Sequence, residues 1–67
     1  MRNASERLAD EYNGYVSEKT ASEQQVRRLL ARDPNADTAN LTRLITDLDK
    51  KIAECHERAQ KLGTALY

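Results

Sequence analysis

The chain has 67 residues, with 11 lysines and arginines balanced by 11 aspartates and glutamates. That length holds one domain at most, and a core of this size rarely supplies more than about 3–5 kcal/mol. The balanced charge excludes a general electrostatic pull toward nucleic acid or an anionic membrane, and the single cysteine, Cys55, excludes an internal disulfide.

A helix is predicted over about residues 4–32. Asn3 with Glu6 three positions on acts like a capping box, with Asn where the motif proper has Ser or Thr. Leu8, Tyr12, Tyr15, Lys19, Ser22, Val26 and Leu29 then recur in steps of four and three, which puts them on one helical face. The stripe is poorly filled where Lys19 and Ser22 stand. Gly14 costs a helix about 1 kcal/mol relative to alanine, and Thr20-Ala21-Ser22-Glu23 offers a second cap. A kink near Gly14 therefore competes with a single helix. The heptad phase runs through the glycine and favours continuity.

Asp33-Pro34-Asn35-Ala36-Asp37 is the strong breaker, at the middle of the chain. Pro34 pushes Asp33 out of the α region and ends the first helix. Asn35 or Asp37 can cap the next one. A turn over 33–37 makes the flanking helices antiparallel neighbours.

The second helix, about 38–66, carries the cleaner pattern. Leu41, Ile45, Leu48, Ile52, Cys55, Ala59, Leu62 and Leu66 form a heptad seam. Asp47 with Lys51, Glu54 with Arg58 and Glu57 with Lys61 are acid-before-base pairs four apart, each adding a small helix-stabilising term. Gly63 is a weak point near the end. Folding the seams together about the turn pairs residues whose numbers sum to about 70. Leu29 then meets Leu41, Val26 meets Ile45 or Leu44, Ser22 meets Leu48, and Lys19 meets Ile52. Further along, Tyr15 meets Cys55, Tyr12 meets Ala59 and Leu8 meets Leu62. Large residues face small ones along much of the seam, which fills space at constant helix separation. Leu48 and Ile52, opposite Ser22 and Lys19, are expected to lack full apolar cover. The expected fold is all-α, a coiled-coil-like two-helix antiparallel hairpin forming one unit over 1–67.

Little in the sequence points to catalysis. Cys55 and His56 are adjacent on a helix, so their side chains diverge by about 100° and do not face each other. One cysteine and one histidine cannot build a four-ligand zinc site within one chain. Phosphate-binding glycine loops and metal-spaced histidines are absent, and two helices cannot enclose an enzyme-sized pocket. No catalytic residue, cofactor or metal is expected. Arg27, Arg28, Arg32 and Arg43 cluster near the turn, but Asp33 and Asp37 lie among them without interleaved aromatics. That composition suits a solvated tip better than a nucleic-acid contact. Tyr67 is expected to be exposed.

Val16, Leu30 and Leu44 lie beside the seam, and Leu30 and Leu44 are expected to make a small apolar patch near the tip, of the kind that marks partner surfaces. With Tyr12, Tyr15, Leu48 and Ile52 they are the candidate partner-binding residues. No apolar run approaches the roughly 18 residues of a membrane span. The stretch Met1 to Arg7 lacks the apolar segment of a signal peptide. A reducing, cytoplasmic setting is expected.

Three resemblances accompany this reading. Leu29-Leu30-Ala31-Arg32-Asp33-Pro34-Asn35 resembles the turn between helices of tetratricopeptide repeats, although no second copy follows. Arg7-Leu8, Leu30-Ala31-Arg32 and the heptad second helix resemble the small helical-hairpin co-chaperones of type III secretion needle subunits. The turn at Asp33-Pro34 resembles that of the N-terminal coiled-coil hairpin of hantavirus nucleoproteins. The last two imply a co-chaperone or adaptor and an oligomerisation hairpin, respectively. The expected function is protein–protein interaction without catalysis, either by self-association into a four-helix bundle or by docking on a partner protein through the seam.

Overall fold

The computed structural model describes residues 3–66. It consists of α1 (Ala4–Arg32) and α2 (Ala39–Leu62), packed against each other as an antiparallel hairpin. The Glu6 N–H donates to Asn3 Oδ1 at 2.9 Å, so the asparagine caps α1 as its spacing predicts. The helix continues through Gly14 without a break, and no second cap forms at Thr20.

α1 ends where proline demands it. Asp33 is extended, at φ −146° and ψ 106°, and its N–H still closes the last turn onto the Leu29 carbonyl. Its carboxylate accepts from the Asn35 N–H at 3.0 Å, while its carbonyl accepts from Ala36 N–H at 2.9 Å. Asp37 acts similarly, accepting from Ala39 N–H at 3.0 Å. Thr38, rather than Asn35 or Asp37, occupies the cap position of α2, and its own side chain makes no capping bond. The acidic residues of the turn thus serve its backbone donors.

α2 stops at Leu62, short of residue 66. Gly63 adopts the left-handed conformation at φ 69°. Its N–H bonds to the Gln60 carbonyl, and the Thr64 N–H reaches back to Ala59 at 3.0 Å. These are the two reversed bonds of a Schellman ending, which satisfy carbonyls that a helix terminus leaves open. The chain then turns so that Leu66 still packs on the core, as a folded-back residue and not as the next step of the heptad. Leu62, the last helical seam position, is left exposed.

The buried residues are Leu8, Ser22, Leu48, Cys55 and Ala59. Leu8, Cys55 and Ala59 form one cluster, with Tyr12, Tyr15 and Leu66 packed around it. Leu48 is only 2% exposed, against the expectation that its cover would be incomplete. Ser22 is the one buried polar residue among those described, and no buried side-chain polar atom among them lacks a hydrogen-bond partner. Ile52 does remain half-buried, as expected opposite Lys19.

The two glycines have opposite requirements. Gly14 has ordinary helical geometry with open space where a Cβ would stand, whereas Gly63 needs a positive φ. Gly14→Ala should therefore stabilise the hairpin by about 0.5–1 kcal/mol. Gly63→Ala should destabilise it by about 1–2 kcal/mol. Urea unfolding of the two variants beside the parent checks both signs.

Candidate interaction face

Each helix contributes alternating seam positions that fall into two columns. One column holds Leu8, Tyr15, Ser22 and Leu29 on α1 with Leu41, Leu48, Cys55 and Leu62 on α2. The other holds Tyr12, Lys19 and Val26 with Ile45, Ile52 and Ala59. In antiparallel helices, one step forward from the seam leads to the same flank on both, and one step back leads to the opposite flank. The first column leans toward the backward flank and the second toward the forward flank.

Burial divides the columns in part. Leu8, Ser22, Leu48 and Cys55 of the first are buried. Tyr12, Lys19, Val26, Ile45 and Ile52 of the second are all half-exposed, and Ala59 is its buried member. The remaining members of the first column are no better covered than the second: Tyr15, Leu29 and Leu41 are half-buried and Leu62 is exposed. Val16, Glu23 and Leu30, each one step after a seam position, border the second column on α1, with Ala9 nearer the helix start; of these only Leu30 is exposed, and the others are half-buried. Asp49 and His56 border it on α2.

Cross-helix contacts hold this geometry. On the forward flank, the Lys19 ammonium lies 2.6 Å from the Asp49 carboxylate. That hydrogen bond, and then the charge of Asp49, raises the lysine pKa. The aliphatic stem of Lys19 thereby stays along the seam while its charge reaches solvent. The Tyr12 and His56 rings meet edge to face, with centroids 5.1 Å apart and planes at 72°. On the backward flank, Arg58 donates to Glu11 at 2.7 Å, and the Lys51 ammonium sits 5.4 Å from the centre of the Tyr15 ring. Arg58 therefore reaches across the helices to Glu11, beyond its expected same-helix partner Glu54. The residue numbers of these four pairs sum to 66–69, below the expected 70, and Leu8 clusters with Cys55 and Ala59 while Leu62, its expected partner, is exposed. Glu11, Asp49, His56, Lys51 and Arg58 escaped the sequence reading as contact residues, because pairing across a seam depends on the flank as well as the register.

The candidate residues are divided by this arrangement. Tyr12, Val16, Leu30 and Ile52 share the forward flank. Tyr15 and Leu44 belong to the other flank, and Leu48 is buried between the helices. Leu30 and Leu44 are 40% and 41% exposed, yet they do not form one patch. Leu30 is one step after Leu29 and Leu44 one step before Ile45, which puts them on opposite flanks. Leu44 instead lines a shallow charged groove of about 330 Å³ with Glu18, Asp47, Leu48 and Lys51.

Cys55 is a free, buried thiol whose pKa is pushed up, chiefly by desolvation. His56 turns to Tyr12 instead of toward it. Arg27, Arg28, Arg32 and Arg43 are all exposed around the tip. Among the described residues, no group of three or more histidine, cysteine, aspartate or glutamate side chains is arranged to hold a metal ion. No described helix is long and apolar enough to cross a membrane. The chain matches no known protein family, and neither a curated protein nor a solved structure is similar to it.

The buried thiol gives a direct test of the packing. A folded-state pKa above the unfolded value means that the neutral thiol's contribution to stability is complete below the ordinary thiol range. It is lost as pH rises through the folded value. The thermal midpoint should fall on that alkaline limb, and Cys55→Ala should remove the part due to the thiol while leaving the later part due to Lys19. Alkylation of Cys55 should also be slow in the native chain and become fast in denaturant.

Proposed function

We propose that this chain is a non-enzymatic protein–protein interaction module, working in the cytoplasm, whose partner packs against the forward flank of the hairpin. The observation that carries this reading is the half-exposed column of Tyr12, Val26, Ile45 and Ile52, bordered by Val16 and the exposed Leu30. The shape supports it. The radius of gyration is 14.9 Å, where a compact domain of this length has about 11 Å. The accessible surface is 5260 Å², against about 4,300 Å² expected for a compact monomer of this mass. A hairpin that leaves so much apolar seam in water gains stability when another helix covers it. A co-chaperone, an adaptor and a self-associating hairpin are all forms of this activity.

A second reading rests on the exposed arginine tip, which has the charge to touch phosphate. Asp33 and Asp37 stand within that tip and weaken its positive field. Salt titration of RNA binding separates the two readings, because phosphate contacts lose affinity steeply with salt and apolar helix packing does not.

The interaction reading predicts that the thermal midpoint rises with protein concentration or with added partner. Val16→Glu and Leu30→Glu should reduce that rise while the helical circular dichroism stays intact. Leu44→Glu, on the other flank, should have a much smaller effect. A sharply melting monomer, with a midpoint indifferent to concentration, partner and these substitutions, would overturn the reading.

A further inference from the structure

We infer that Asn13-Gly14 is a latent deamidation site: the α1 helix holds it unreactive, and its conversion to isoaspartate unlocks the buried cluster around Cys55.

The residue pair supplies the chemistry. The asparagines are Asn3, Asn13, Asn35 and Asn40, and among them Asn13 alone precedes a glycine. Asparagine loses its amide when the next backbone nitrogen attacks the side-chain carbonyl. Hydroxide takes the Gly14 N–H proton, the nitrogen bonds to Asn13 Cγ, and the Cγ–Nδ2 bond breaks. Ammonia leaves with a proton from water, and a five-membered succinimide remains. Water then opens the ring. Opening at Cγ gives aspartate, and opening at the main-chain carbonyl gives isoaspartate, whose backbone runs through the former side chain. A Cβ on the attacking residue hinders the first step. Gly14 has none, and the place where one would stand is open space. Asn13 and Gly14 are both exposed, so burial does not protect them from water or hydroxide.

Backbone geometry protects them instead. Both residues lie within α1, Ala4–Arg32. Ring closure needs the Asn13 Cβ and the Gly14 nitrogen nearly eclipsed about the Cα–C bond. A helical ψ of about −42° holds them well away from that arrangement. In an α-helix the Gly14 N–H is also committed to the carbonyl four residues back. The reaction therefore waits on local opening of the helix. Glycine favours that opening by about 1 kcal/mol relative to alanine. Contacts on both sides of the pair oppose it: Arg58 with Glu11, His56 with Tyr12, and Lys51 with Tyr15. Leu8, only 1% exposed, anchors the preceding turns.

The product cannot return to the same packing. Isoaspartate adds one carbon to the backbone at position 13, between Tyr12 and Tyr15. Both tyrosines pack on the cluster of Leu8, Cys55 and Ala59. A helix that slips between them cannot keep both in place, and Cys55, buried in the intact hairpin, loses cover.

Ageing of the full chain at mildly alkaline pH tests this, with peptide mapping by mass to follow each asparagine. Asn13 should convert at least about tenfold faster in guanidinium chloride than in native buffer, because only the open form reacts. In denaturant it should also convert well ahead of Asn35, and Gly14→Ala should slow it several-fold. Leu8→Ala should speed the reaction in native buffer while leaving the denatured rate unchanged. The purified isoaspartate chain should lose helical circular dichroism, and its Cys55 should be alkylated at least about tenfold faster in native buffer than that of the parent. Asn13→Asp, which carries the same charge on an ordinary backbone, should behave as the parent does. Equal rates in native buffer and denaturant overturn the inference, as does conversion of Asn35 ahead of Asn13 in the unfolded chain. So does an isoaspartate chain whose Cys55 stays protected, or an Asn13→Asp chain as open as the isoaspartate one.

Discussion

One column of small and apolar side chains holds the hairpin shut. Leu8, Ser22, Leu48 and Cys55 lie where the helices approach each other, and nearly everything else depends on how close that approach is. Ser22 is the polar member of this column and is 6% exposed. Its hydroxyl causes no penalty because the buried polar atoms of the described residues are satisfied. The same closeness buries the Cys55 thiol and pushes its pKa upward. It also brings Arg58 and Lys51 within reach of Glu11 and Tyr15 on the opposite helix.

Two helices touch along a single line, so much of the seam is only partly covered: Tyr12, Val26, Ile45 and Ile52, and likewise Tyr15, Leu29 and Leu41, stay half-buried. Surface ion pairs on the flanks contribute little stability individually. Their effect is positional: Lys19 is held to Asp49, and Tyr12 is held against His56, both on the forward flank.

The ends of the helices show how local chemistry limits an extended pattern. The heptad repeat runs on to Leu66, but Gly63 releases the chain from the helix by taking a conformation that other residues adopt at a cost. Leu66 nevertheless reaches the core from its folded-back position. The apolar identity of that residue was informative, while the helical route to it was not. At the other end of α2, Thr38 stands at the cap while Asp37 bonds one residue further on. Neighbouring residues of similar capping chemistry leave such a boundary free to move by a position.

Sequence by itself determined the two helices, their central turn, the Asn3 cap and the antiparallel arrangement. Each of these follows from local rules: the proline before which helix cannot continue, the side-chain oxygen spaced to reach a free N–H, and the steps of four and three that align one face. It also marked Leu30 and Leu44 as exposed. Only the tertiary structure decided that Leu30 and Leu44 lie on opposite flanks, that Leu48 is covered, and that Lys19 reaches Asp49. The physical reason is that a heptad pattern defines a face without saying how that face is tilted. Tilt depends on the sizes of the residues that meet across the seam, here Ser22, Cys55 and Ala59, and they are known to meet only once both helices are in place.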